Sequence, residues 1–396
     1  MPVTEVSTQS ISAARRATFD VLQAVAAGAY ASDSLRERCA KLSERDAGLA
    51  AHIVFGCLRF QAQLDYLIFL YSGRRVEQLD APVVIALRTA IFQLRYLERV
   101  PAYAAVAESV EFVKRNKRAA TGLTNAVLRK VNRNPVTWPD RETELSCPKW
   151  LLDRWSVHFG DAQAQQIAAA ALREPGAYVR VAPGSEPPAG VQLEPTTVAG
   201  CFRLVSAERR NLRLHDIGSQ AILPLLDLRP EDRYLDLCAA PGNKTLQALE
   251  NPLSLAVACD ISIHRISSIP PVCSRVVLDA SKPLPFCGTF DKIFIDAPCS
   301  GTGTLGRNPE IKWRLGEGEL ARFASLQKQI LAEGLKLLAP NGKLMYATCS
   351  LEREENEAVI HQALAENSAL VCEREMWRLP GREEGDGFYA AVLRGE

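Results

Sequence analysis

Apolar positions recur at helical spacing through the first third of the chain. Ala17, Val21, Leu22 and Val25 form one stripe, Leu49, Ile53, Val54 and Leu58 a second, and Val83, Val84, Leu87, Ala90, Ile91 and Leu94 a third. Spacings of three and four place each set on one face of a helix. Ser43 ahead of Glu44-Arg45-Asp46 predicts an N-cap with acids in the first turn. Pro101 interrupts the pattern and 104–113 resumes it. Period-two alternation is almost absent before residue 133, so residues 1–140 are expected to form an all-α bundle with its own core.

The pattern then changes twice. A linker rich in Pro, Asp and Trp spans 134–148. Helices fit 150–159 and 161–172, and a strand fits 178–181, so 141–215 is expected to be a small α+β domain. Within 216–396 short apolar runs alternate with helical stretches. Strands are expected at 233–238, 255–260, 275–279, 292–296 and 343–348, and helices at 244–249, 320–338 and 354–365. That alternation predicts a Rossmann-like, doubly wound α/β domain. Ligands of such sheets sit beyond the carboxyl ends of the strands, near the switch in strand order.

Composition narrows the class. Hydrophobic residues make up 47% and charged residues 23% of 396, which excludes collagen, a coiled-coil rod and wholesale disorder. No apolar run reaches the ~20 residues of a membrane span. The first sixteen residues lack the apolar core of a secretory signal, so a cytoplasmic protein is expected. The eleven cysteines include no CxxC pair and are accompanied by only five histidines, so no metal site is expected and the thiols are read as free. The formal net charge of +1 announces no polyanion partner. Locally, however, Lys114, Arg115, Lys117, Arg118, Arg129, Lys130 and Arg133 fall in a stretch without a single acid, a candidate phosphate-contacting patch.

The candidate chemistry lies at the strand ends. Asp236-Leu237-Cys238-Ala239-Ala240-Pro241-Gly242-Asn243-Lys244-Thr245 runs from a strand into a helix. Its small residues let the backbone approach a ligand closely. It is neither GxGxxG nor a P-loop, which disfavours an NAD-dependent dehydrogenase or a nucleotide triphosphatase. Asp260 ends the next strand, where a carboxylate accepts both hydroxyls of a ribose, and Asp279 could accept from an adenine amino group. An adenosine-type ligand without phosphates fits. The fourth strand leads into Asp296-Ala297-Pro298-Cys299-Ser300-Gly301-Thr302-Gly303 and the fifth into Thr348-Cys349-Ser350. Adjacent parallel strands are ~4.8 Å apart, so two thiols at neighbouring strand ends would face one cleft beside Asp296.

A thiol, a carboxylate and an adenosine-linked donor suit one difficult reaction. Carbon 5 of a pyrimidine is a poor nucleophile until a thiolate adds to C6 and makes C5 enamine-like. A carboxylate near N3 and the 4-amino group stabilises the adduct. Amino-directed methyltransferases usually carry Asn/Asp-Pro-Pro-Tyr/Phe where this chain has Asp-Ala-Pro-Cys, and they need no thiol. Spacing alone leaves open which cysteine attacks.

Asp236 to Thr245, Asp296 to Gly303 with Arg307-Asn308-Pro309-Glu310-Ile311-Lys312-Trp313, and Tyr346 to Ser350 followed by Glu354-Glu355-Asn356-Glu357 resemble the RNA 5-methylcytosine methyltransferases of the RsmB/Sun family. Gly385-Asp386-Gly387-Phe388-Tyr389 looks like that family's closing strand. The front end, with Arg45-Asp46, Gly56-Cys57-Leu58-Arg59, Leu64-Asp65, Arg99-Val100-Pro101-Ala102 and Asn125-Ala126-Val127-Leu128-Arg129, resembles a NusB-like RNA-binding domain. The resemblance implies an S-adenosylmethionine-dependent enzyme acting on RNA, most simply 16S ribosomal RNA or a small-subunit assembly intermediate, as a monomer away from membranes. It implies that Cys349 adds to C6, that Cys299 serves product release, and that Asp296 and Lys244 complete the catalytic set. Cys238, Ala239, Ala240, Pro241, Gly242, Asn243 and Lys244, with Asp260, Arg265, Asp279 and Asp296, are implied to hold the cofactor. RNA contacts are expected from Lys114, Arg115, Lys117, Arg118, Arg129 and Lys130. Two departures stand out: Asn243 replaces a usual Gly, and the stretch after Asp260 is cut short by Pro270-Pro271. The alternative is a non-catalytic NusB-like RNA-binding or ribosome-assembly factor with an inert methyltransferase half.

Overall fold

The computed structural model describes residues 11–187, 189–205 and 212–395; the first ten residues of the segment read for a secretory signal lie outside it. The chain divides into two compact units. Met1–Ser156 and Gly306–Arg314 form one, and Val157–Leu305 with Leu315–Glu396 the other. The stretch 141–215, expected to be one domain, is thus shared between them.

The first unit is helical, with long helices at Ala13–Ala26, Glu44–Arg59, Gln61–Ser72, Ala81–Tyr96 and Ala102–Asn116. The Ser43 side chain accepts from the Asp46 amide at 3.1 Å, the N-cap its position predicts. Ile53, Leu64, Leu67, Ile68 and Leu87 are fully buried, and the Phe19 and Phe112 rings stack at 4.0 Å. Gly56 is dictated by close approach, since a Cβ there would lie 1.9 Å from the Phe92 ring. Buried Arg15 is matched by Gln93 at 2.7 Å and Glu108 at 2.8 Å, which offsets the cost of hiding its charge.

The segment 306–314, whose sequence resembles a methyltransferase motif, belongs to this helical unit. Lys312 donates to the Arg59 carbonyl at 2.9 Å, Trp313 to that of Leu58 at 2.7 Å, and the Ala31 amide donates to Glu310 at 3.0 Å. Burial pushes the Lys312 ammonium down to about 8 and raises the Glu310 carboxyl.

The second unit opens with the helix Asp161–Ala171 and a small antiparallel sheet. Its strands are β1 (Tyr178–Arg180), β2 (Leu193–Pro195) and β3 (Cys201–Leu204), in the order β1-β3-β2. The main sheet comprises β4 (Arg233–Asp236), β5 (Leu255–Asp260), β6 (Ser274–Val277), β7 (Phe290–Asp296), β8 (Leu338–Thr348), β9 (Leu370–Arg378) and β10 (Phe388–Gly395). The order is β6-β5-β4-β7-β8-β10-β9, parallel up to β8 and antiparallel through β10 and β9. Winding reverses between β4 and β7, which fixes the ligand crevice there. The strands are apolar on both faces because both are covered. Leu235, Ile293, Ile295 and Tyr346 lie in one buried cluster, Tyr234, Phe294, Met345 and Ala347 in the other.

Several elements differ from the sequence expectation: the strand expected at 233–238 stops at Asp236, the helix expected at 320–338 ends at Leu335 with β8 starting at Leu338, and β2 and β3 were not expected. The third strand stops at Val277, two residues before Asp279. β9 was not foreseen, because Glu373, Arg374, Glu375 and Arg378 give it the charged face of an edge strand rather than an apolar run.

Candidate active site

The turn after β4 is pinned by its neighbours. The Leu237 amide donates to the Phe294 carbonyl at 3.0 Å and the Ala239 amide to the Cys259 carbonyl at 2.8 Å. Gly242 sits at φ +97°, and a Cβ there would meet Ile269 at 2.6 Å, so the loop bends where only glycine fits. Asn243 starts the following helix; its side chain accepts from Arg213 and donates to the Leu214 carbonyl at 2.9 Å. The departure at Asn243 therefore supplies an anchor where a glycine would supply none.

Beneath this loop, burial pushes the Asp236 carboxyl up to about 7, against the hydrogen bond from Thr245 at 2.7 Å. Asp260 is 4% exposed; it accepts from the Ser262 amide at 2.9 Å and the Ala240 amide at 3.3 Å. Arg265 donates to the Ala240 carbonyl at 2.8 Å and stands 3.9 Å from Asp260. Asp279 accepts from Ser281, which holds its carboxyl below the ordinary value. Pro270 and Pro271 leave the helix after Asp260 a single turn, Ile263–Ile266. Small residues, a tight glycine bend and acids at the ends of β5 and β7 fit S-adenosylmethionine, a cation with a ribose and no phosphate.

The candidate reacting groups converge one strand further on. β7 and β8 pair in parallel with Asp296 opposite Ala347. Cys299 and Cys349 follow three and two positions later, and their sulfurs lie 3.3 Å apart. Lys244 reaches Asp296 at 2.6 Å and lies 5.0 Å above the Phe388 ring. Burial is the largest influence on the Lys244 ammonium and works to lower it, but the charge and hydrogen bond of Asp296, together with the charges of Cys349 and Asp236, outweigh it and the net shift is upward. The Cys299 thiol is pushed well up, first by its hydrogen bond to Cys349, then by burial and by the charges of Cys349, Glu355 and Asp296. Burial and nearby acids likewise hold Cys238 up as an unreactive thiol. No His, Cys, Asp or Glu group among the described residues is arranged to hold a metal ion.

Sequence reasoning missed Arg213 and His215, which reach this site from the middle stretch, where no motif marks them. His215 is 4% exposed, bonds Ser219 at 3.0 Å, and is pushed down to about 3 by burial and by the nearby Lys244, Arg180 and Arg213 charges. The neutral ring therefore contributes stability that is fully present above pH ~6.5 and is lost as the pH falls towards about 3. Between those values unfolding is expected to take up about one more proton in the native protein than in His215→Gln. Denaturant midpoints across that window measure it, and parallel curves for both proteins would count against it.

The basic patch is less acid-free in space than in sequence. Lys114 and Arg115 pair with Glu111 at 3.7 and 2.9 Å, and Lys117 pairs with Asp80 at 3.0 Å. Lys130 donates to the Tyr71 carbonyl at 3.1 Å, and Arg133 to those of Leu94 and Leu97, so these two close helix C-termini. Arg118 and Arg129 are exposed. Exposed ion pairs are worth about 0–1 kcal/mol and are readily exchanged for phosphate contacts.

Comparison with known proteins places both units. The 16S rRNA methyltransferase RsmB/F family model matches residues 223–394 and the NusB family model residues 12–133. Ribosomal RNA small subunit methyltransferase B of Erwinia tasmaniensis is 32% identical over 393 residues, covering 89% of this chain and 91% of that protein. Its counterpart in Shigella flexneri is 33% identical, covering 94% and 96%. The crystal structure of PH0851 shares the fold at a TM-score of 0.80 and 22% identity, covering 97% of this chain and 99% of that one. With a NusB helical unit, a Rossmann-like sheet unit and relatives of this similarity along nearly its whole length, the chain belongs to the RsmB family of S-adenosylmethionine-dependent ribosomal RNA methyltransferases.

Proposed function

We propose that the chain methylates C5 of one cytosine in 16S ribosomal RNA through a transient bond between Cys349 and C6, acting as a monomer in the cytoplasm. The observation that carries this reading is the pair of sulfurs 3.3 Å apart beside the Lys244–Asp296 ion pair. The two sulfurs share a hydrogen bond that either can donate, and the Lys244 ammonium lies close enough to Cys349 to interact with its charge. In this reading Cys349 attacks as its thiolate, the nucleophilic form of a cysteine. That thiolate forms the S–C6 bond, and the C5–C6 π pair moves to C5. Asp296, fixed by Lys244, meets N3 and the 4-amino group. S-adenosylmethionine supplies the electrophilic methyl group for C5.

The ordering of proton transfers follows from the same contact. Once the Cys349 sulfur is bonded to carbon, it no longer holds a negative charge against Cys299. The hydrogen bond and charge that Cys349 contributes to the raised Cys299 value are then removed, while burial and the charges of Glu355 and Asp296 persist, and in this reading the Cys299 proton passes to solvent. Cys299 becomes the base that takes the C5 proton; the pair returns to C5–C6 and Cys349 leaves as thiolate.

A cytosine in folded RNA is stacked and must be flipped out to meet these sulfurs. We assign RNA positioning to residues 1–140 and 141–215, with phosphate contacts from Lys114, Arg115, Lys117, Arg118, Arg129 and Lys130. Cofactor contacts are assigned to Cys238, Ala239, Ala240, Pro241, Gly242, Asn243, Asp260, Arg265 and Asp279. Charge reversal at Lys114, Arg115, Lys117 and Arg118 is expected to weaken RNA binding and to flatten its log–log salt dependence by about 0.7–0.9 per lost contact. A salt titration with unchanged slope would count against the patch. The function itself is tested by tritium transfer from methyl-labelled cofactor to small-subunit RNA, followed by digestion to nucleosides. Label in 5-methylcytidine is expected; no transfer to any ribosomal RNA would favour an inert RNA-binding factor.

A further inference from the structure

Each of the paired cysteines is followed by a serine, and one buried carboxylate joins the two serines. Glu355 is fully buried at the end of the single turn Arg353–Glu355. Its Oε1 accepts from the Ser300 amide at 2.8 Å and from Gln327 at 2.9 Å. Its Oε2 accepts from the hydroxyls of both Ser300 and Ser350, which lie 3.0 Å from each other. Gln327 also donates to the Pro298 carbonyl at 2.9 Å, and Asn356 donates to that of Ser350 at 2.9 Å and accepts from the Thr348 hydroxyl at 2.6 Å, so the residues on either side of both cysteines are tied, directly or through Gln327, to Glu355 and Asn356. No Lys or Arg among the described residues pairs with Glu355. A buried carboxylate without a cation is costly; here four N–H and O–H donors converge on it, three from the two loops that carry the sulfurs and one from Gln327 on the helix Glu317–Leu335.

We propose that Glu355 is a positioning residue for the methyl transfer, clamping Ser300 to Ser350 so that Cys299 and Cys349 stay adjacent through adduct formation and release. The inference rests on the covalent reading above. Addition needs only Cys349, whereas release needs Cys299 within reach of the C5 proton while Cys349 is bound to C6. A slackened clamp therefore impairs release most, and the adduct persists.

The test uses the full chain, labelled cofactor and small-subunit RNA. Glu355→Ala is expected to lower turnover about 100-fold, the effect of a reacting group displaced by about 1 Å. Cofactor affinity should stay within about twofold. An SDS-stable protein–RNA adduct should accumulate although both cysteines are present, a signature that misfolding does not produce. Glu355→Gln restores most of the turnover, because the amide oxygen can accept from Ser300 and Gln327 while its NH2 donates to the two hydroxyls. Ser350→Ala removes one arm and is expected to accumulate adduct to a smaller extent, keeping the test open if Glu355→Ala fails to fold. Cys299→Ala serves as the control. If it traps adduct while neither Glu355→Ala nor Ser350→Ala does, the clamp is overturned and the covalent reading stands. If Cys299→Ala traps nothing, the covalent reading falls, and the clamp with it.

Discussion

Cys349→Ala is expected to abolish methyl transfer, by about 10⁴-fold or more, while S-adenosylmethionine still binds. Without the thiolate, C5 has no route to nucleophilicity, and neither Asp296 nor Lys244 can substitute, because both act on an adduct that no longer forms. The Cys349 side chain lies beside Cys299 rather than among the groups assigned to the cofactor, and it is only partly buried, so the substitution leaves a small space and an intact fold. Single-turnover transfer and cofactor titration measure the two halves of the prediction separately. Residual transfer within tenfold of the native protein would remove the covalent step from the mechanism.

Cys299→Ala is expected to fail differently. Cys349 can still add to C6 and C5 can still take the methyl group, but the C5 proton has lost its acceptor. Turnover should fall about 10²–10⁴-fold, the usual range for loss of a general base. The protein should be recovered covalently joined to its RNA, with methyl label in the joined band. The pH dependence should also change: the native protein depends on the Cys299 thiol losing its proton after addition, whereas adduct formation in Cys299→Ala does not. A variant that turns over normally, or that forms no joined band, would contradict the assignment of roles to the two sulfurs.

Much of this site is legible in the sequence because parallel strands are read from short apolar runs, and their ends are where chemistry collects. Asp236, Asp260 and Asp296 each close a strand. Once β7 and β8 are neighbours, the pairing of Asp296 with Ala347 brings Cys299 and Cys349 together without further information. Glu355 was read as part of a helix start, because in sequence an acid before a helix is ordinarily a capping charge. Only the fold turns it inward towards Ser300. The cations from Lys114 to Lys117 looked unopposed because Asp80 lies far away in sequence and Glu111 just outside the stretch. The membership of 306–314 in the helical unit was equally hidden: Glu310, Lys312 and Trp313 find their partners some 250 or more residues earlier in the chain, and no local periodicity reports such a pairing.

The chain passes between its two units after Ser156, after Leu305 and again after Arg314. Neither unit is therefore a continuous stretch of the gene product. During synthesis from the amino end, the helical unit emerges without Glu310, Lys312 and Trp313, leaving the Ala31 amide and the Arg59 and Leu58 carbonyls without these partners until the ribosome has passed residue 314. A nascent chain halted at residue 156 would carry an unfinished helical unit, and completing it must wait for most of the polypeptide, a built-in delay that ties maturation of the helical unit to translation of the sheet unit.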